Sequence, residues 1–132
     1  MVLWMFLSGL AILVAWTIVD VLMHRLLLRP VYEQSSSLWR PFDQMNVALI
    51  YVATFSLIGA FVVTYGLLIN PKSLGAGVGF GALLGLALGV ASGLGTYIHM
   101  PIPRALAWSW FFGGWLKGVV AGAILGLLIT QA

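Results

Sequence analysis

The chain has 132 residues, 62% of them hydrophobic and only 7% charged, with a formal net charge of +3 and a mean hydropathy of +1.10. Soluble domains run near half apolar and about a quarter charged, so this composition excludes a soluble globular protein and a disordered one alike. There is no cysteine, which removes disulfides, thiolate catalysis and Cys-ligated metals; two histidines and three carboxylates leave little material for an acid–base or metal site.

The five prolines, Pro30, Pro41, Pro71, Pro101 and Pro103, all fall between apolar runs over about 2–24, 45–69, 76–98 and 106–129. Proline removes a backbone donor and suits connections. Each run reaches the roughly 20 apolar residues a spanning helix requires. Lipid offers the backbone no hydrogen-bond partners, so the runs are expected to be helical. The alternation of a membrane β-barrel is missing. The reading is an all-α polytopic membrane protein: one domain over 1–132, four transmembrane helices in an up-down bundle.

The first run lacks the basic leader of a signal peptide and exceeds its typical stretch of about 7–15 apolar residues, so it is expected to be retained. Near its end stand Asp20, His24 and Arg25. Asp20 and His24 are one helical turn apart and share a face with Gly9, Leu13, Trp16 and Leu27. Counted back from Arg29, Asp20 lies about 13 Å along the helix, inside the hydrocarbon or at its margin. A charge there costs about 2.5–3.5 kcal/mol on insertion scales and calls for pairing, protonation or a solvated cavity.

The connection over about 25–44 reads as a segment on the membrane surface. Its Tyr32, Trp39 and Phe42 have the chemistry of the headgroup region, and Arg29 and Arg40 would meet anionic headgroups. The alternative is a docking loop for a partner subunit, with Arg29, Tyr32, Trp39 and Arg40 as its contacts.

The third and fourth spans carry the strongest local pattern. Gly77, Gly81, Gly85, Gly89 and Gly93 recur every four residues, as do Gly114, Gly118, Gly122 and Gly126. Residues four apart share a helix face, so each ladder is a stripe without side chains along which two backbones can approach closely. The short Pro101–Arg104 connection makes the two spans antiparallel neighbours. The expectation is ladder against ladder, with another copy, a larger partner, a flat cofactor or a lipid as alternatives for one stripe.

Lys117 lies mid-span, off the glycine stripe and on the side of Trp110, Gly113, Ala121 and Ile124. From the same membrane face its depth differs from that of Asp20 by about four residues, or 6 Å, which a lysine stem can cover. An Asp20–Lys117 ion pair is therefore expected, either as a packing device or as a proton or substrate site. His24 or His99 as a haem or chlorophyll ligand is the remaining option; His99 reads more simply as an interfacial residue beside Tyr97 and Pro101. Otherwise no cofactor is expected beyond lipid. No basic cluster dense enough for nucleic acid occurs.

Basic residues orient the chain. Arg25, Arg29 and Arg40 lie in the first connection and Arg104 in the third, against Lys72 alone in the second. The bias places the first and third connections in the cytoplasm and both termini outside.

The run His24-Arg-Leu-Leu-Leu-Arg-Pro-Val-Tyr32 with Leu38-Trp39-Arg40-Pro41, followed by Tyr97, Pro101-Ile102-Pro103, Trp108 and a glycine-rich fourth span, resembles small bacterial four-span integral membrane proteins of unknown function. The resemblance implies the fold and a bacterial inner-membrane location, and no activity or catalytic residue. Small multidrug exporters carry a glutamate midway along span one, whereas Asp20 stands near that span's end; fluoride channels, glutathione-linked membrane enzymes, vitamin K reductases and rotor-ring subunits have patterns not found here. An enzyme is not expected, since no nucleophile–base pair or metal set can be assembled. The reading is a non-catalytic accessory or structural subunit packing in a homo-oligomer or larger membrane complex. The alternative is a small proton-coupled transporter or permeation element using Asp20 and Lys117.

Overall fold

A computed structural model describes residues 1–130; the C-terminal end at Ala132, on which the orientation argument draws, lies outside the described residues. The protein is an all-α four-span membrane bundle. Its spans are α1 (Val2–Leu27), α3 (Val47–Leu68), α4 (Leu74–His99) and α5 (Arg104–Leu128), and a short helix α2 (Arg29–Gln34) follows the first. No strand occurs among the described residues.

Local chemistry sets the helix ends. Asn46 accepts from the Leu49 amide at 3.0 Å and starts α3. Ser73 accepts from the Ala76 amide at 2.9 Å and starts α4 two residues before the expected 76. Pro103 precedes the first residue of α5, Arg104, also earlier than expected. The first span runs on to Leu27, past the expected end near 24, because Val21–Leu27 form a π-helical stretch whose last bond runs from Leu28 N–H to Met23 O at 2.8 Å. A second π-helical stretch, Val90–Gly95, interrupts α4.

The tightest packing joins α4 to α5. A Cβ built on Gly77, Gly81 or Gly122 would strike backbone atoms of the facing helix, and one on Gly85 would lie 2.8 Å from the Trp115 carbonyl oxygen. At Gly114 and Gly126 the nearest atoms would be Gly89 Cα at 3.0 Å and Leu74 Cα at 2.9 Å. These are backbone-to-backbone contacts, which small residues permit and which substitute for the hydrophobic drive that lipid cannot provide. The ladders do not match along their whole length. Gly93 faces the backbone of Ala107 and Phe111 rather than a glycine, and a Cβ on Gly89, which Gly114 approaches, would strike the Phe111 carbonyl. The seam therefore continues toward the first and third connections with α4 contributing the small residues.

α1 packs across α5, and α3 joins them through its second half. The main core is built from Ile12, Trp16, Ile58, Phe61, Tyr65 and Leu125, with Ala121 and Ile129 closing it. Trp16 and Phe61 meet edge to face at 5.5 Å, and Phe80 of α4 adds a second edge contact to Phe61 at 5.7 Å. All the buried residues of α3 lie between Ile58 and Gly66; none of Val47 to Leu57 is buried. The first half of α3 thus stands away from the bundle. At the end with the termini, the second connection is fastened: Tyr65 donates its hydroxyl to Ser73 O at 3.0 Å, and Lys72 donates to Ile69 O at 2.9 Å.

Candidate functional site: a polar chain from membrane depth to the first connection

Asp20 is the last residue of α1 before its π-helical stretch, about 10 Å inside the end of the span at Leu27 at roughly 1.5 Å per residue. Lys117 of α5 donates to both of its carboxylate oxygens, at 3.0 and 3.2 Å. Trp16, one turn earlier on α1, donates its indole N–H to the Lys117 backbone carbonyl at 2.8 Å, and the ammonium lies 4.9 Å from the centroid of that same ring. The pair is only partly enclosed: the Lys117 side chain is 23% exposed and that of Asp20 42%.

The polar groups continue toward the membrane surface. His24 Nε2 lies 3.8 Å from Asp20 Oδ1, and His24 Nδ1 is 2.6 Å from the Tyr32 hydroxyl. Trp110 of α5 donates to the same hydroxyl at 2.7 Å. Tyr32 Oη accepts from Trp110 and keeps both a proton and a second lone pair for His24 Nδ1. In the tautomer protonated at Nε2, Tyr32 donates to Nδ1 and the Nε2–H faces Asp20; in the other, Tyr32 accepts from both His24 and Trp110. Hydrogen bonds thus join Lys117 to Asp20 and His24 to Tyr32 and Trp110, and the 3.8 Å contact between Asp20 and His24 sets the two groups side by side between the span and the first connection.

α2 and the segment behind it place Tyr32 and Trp39. Ser35 donates its hydroxyl to Val31 O at 2.8 Å and accepts from the Trp39 indole at 3.1 Å. Trp39 lies edge to face on Tyr32 at 5.6 Å and 5.6 Å from Trp110. Under them Leu28, Ile102, Leu106 and Ala107 form a second buried cluster. Within the connection over about 25–44, the half-buried rings of Tyr32 and Trp39 pack onto Trp110, and their O–H and N–H groups find partners in His24 and Ser35. Phe42, Arg29 and Arg40 remain exposed. Burial pushes the Tyr32 hydroxyl above its ordinary range, the hydrogen bond from Trp110 opposes this, and the nearby Asp20 charge adds to the upward shift.

Arg29 pairs with Glu33 at 3.0 Å. Arg25 and Arg40 have no side-chain partner among the described residues, yet they line one open groove with Arg29, Tyr32, Glu33 and Trp39, of about 650 Å³. His99 is exposed at the end of α4, well apart from His24 in the chain. Among the described residues no group of three His, Cys, Asp or Glu side chains is placed to hold a metal ion.

Of the residues singled out from the sequence, Asp20, His24, Lys117, Tyr32 and Trp39 come together in one assembly, and the nine ladder glycines line one seam. Sequence reasoning missed Trp110 as the partner of Tyr32 and Trp16 as the partner of Lys117. The only signal was their membership of the two helix faces that carry Lys117 and Asp20.

These features define a small four-span membrane protein with an ion pair at membrane depth. No known protein family, curated protein or solved structure matches the chain.

Proposed function

We propose that this chain is a non-catalytic subunit of a bacterial inner membrane, packing with copies of itself or in a larger membrane complex, with its first and third connections in the cytoplasm. The observation that carries this reading is the use made of the Asp20–Lys117 pair. Both charges are consumed in joining α1 to α5, and Trp16 holds the backbone of Lys117 as well as its ammonium. Toward the termini the large buried side chains are Ile12, Ile58, Phe61, Val62, Tyr65, Leu125 and Ile129, with Ser8 among them, and no Asp, Glu, His, Lys or Arg is buried there among the described residues. The partner seat is the first half of α3, where Tyr51 and Phe55 stack at 6.1 Å on a face that no other element covers. Purification in mild detergent with mass analysis tests the proposal. A homo-oligomer or a co-purifying membrane protein supports it, and Tyr51→Ala with Phe55→Ala should weaken the association. A monomer travelling alone under the mildest conditions overturns it.

A second reading, a proton-coupled permeation element, is favoured by one observation: Lys117, Asp20, His24 and Tyr32 lie in succession between membrane depth and the surface groove. Under this reading Asp20 would carry the proton and Lys117 would tune its release. Its test is pH-gradient flux in liposomes, where Asp20→Asn abolishes flux while leaving the fold intact. Flux equal to that of empty liposomes in the wild type removes it.

A further inference from the structure

We propose that the groove between the end of α1 and α2 binds the phosphate of an anionic ligand, with the guanidinium groups of Arg25 and Arg40 as its principal contacts. The π-helical stretch that ends α1 and the bonds from Trp39 to Ser35 and from Ser35 to Val31 hold its walls, so the groove is a braced feature of the fold. Its volume is about 650 Å³, enough for a phosphate and the glycerol or sugar attached to it. Three arginines and one glutamate line it. Arg29 and Glu33 satisfy each other at 3.0 Å, which leaves the charges of Arg25 and Arg40 unbalanced on a surface walled by the Tyr32 and Trp39 rings. A planar guanidinium offers a fork of donors matched to two phosphate oxygens. A phosphodiester brings one negative charge and a monoester up to about two, the complement of two free guanidiniums.

The groove sits at the height of a headgroup. Arg25 lies within the last turn of the span and Arg29 two residues beyond its end at Leu27, so the groove opens where the apolar helix ends. The same chemistry would accept a phospholipid headgroup or a free phosphate, and the experiment separates them.

The full-length protein in a non-ionic detergent is titrated by calorimetry with dioctanoyl phosphatidylglycerol, dioctanoyl phosphatidylcholine and inorganic phosphate. The anionic lipid is expected to bind and the zwitterionic lipid to bind much more weakly. Arg25→Gln/Arg40→Gln should weaken binding about 30-fold, since each basic group contributes about fivefold at an anionic membrane surface. Arg104→Gln, outside the groove, should change nothing. If inorganic phosphate binds while the anionic lipid does not, and the same double variant abolishes it, the site stands with a soluble ligand. Unchanged binding in the double variant, an equal loss in Arg104→Gln, or phosphatidylcholine bound as tightly as phosphatidylglycerol overturns the site. Should the glutamine form fail to fold, Arg25→Lys/Arg40→Lys keeps the charges and loses the forks. It must then bind more weakly than the wild type, and equal affinity overturns the site.

Discussion

The indole N–H of Trp16 donates to the backbone carbonyl of Lys117 at 2.8 Å, while the ammonium of the same lysine lies 4.9 Å from the indole centroid. One α1 side chain therefore grips both the backbone and the side chain of one α5 residue. That contact sets the register in which Asp20, one turn further along α1, receives the Lys117 ammonium. Hydrogen bonds and close packing of this kind are what join helices where lipid removes the hydrophobic drive between them.

Removing one member of the pair should cost more than removing both. Lys117→Met leaves the Asp20 carboxylate without its partner, and a loss of about 1–3 kcal/mol is expected, below the value for a fully buried pair because both side chains are partly exposed. Asp20→Leu/Lys117→Met should recover much of it. Thermal unfolding of the four proteins in detergent checks the cycle, and additive losses would remove the coupling.

The glycine seam makes a paired prediction. At Gly81 a Cβ would strike the Gly118 carbonyl oxygen and come within 2.8 Å of Gly122 Cα, so the helices must part. Gly81→Ala is expected to destabilise by about 1–3 kcal/mol through overpacking. Two residues earlier, Gly79 has nothing within 4 Å. Gly79→Ala should be neutral or stabilise by up to about 1 kcal/mol through helix propensity. Equal effects of the two changes on thermal stability would show that the seam is not close-packed.

Tyr32 should make stability depend on pH at the alkaline end. Its hydroxyl is raised above the ordinary value, mainly by burial, so the folded state holds the proton more tightly than the unfolded one. The contribution is fully present below the unfolded value of about 10 and is lost as pH rises through the folded value. Tyr32→Phe should therefore show a flatter fall in stability above about pH 10 than the wild type. At neutral pH it should lose about 1–3 kcal/mol, because Trp110 Nε1 and His24 Nδ1 lose their partner. Chemical denaturation in detergent at several pH values measures both.

Topology can be read directly. With Arg25, Arg29, Arg40 and Arg104 set against Lys72, a reporter inserted near Ser36 is expected to face the cytoplasm and one fused behind Ala132 to face outward. The reverse pattern would overturn the orientation.

Composition and proline placement were enough to establish four membrane helices, because a backbone in lipid must satisfy its hydrogen bonds within its own segment, and that is a local rule. The four-residue glycine spacing revealed the α4–α5 seam for the same reason: one helix displays it without reference to any other. Which apolar residues face the core was not legible. Lipid is as apolar as the interior, so Val52 and Phe61 look alike in the chain, although the first is exposed and the second buried. Only the tertiary structure set the first half of α3 apart from the bundle and packed Tyr32 and Trp39 onto Trp110. It also brought Trp110 onto a hydroxyl 78 positions away and Trp16 onto a carbonyl 101 positions away. Such bonds depend on how helices cross, and no local spacing records a crossing.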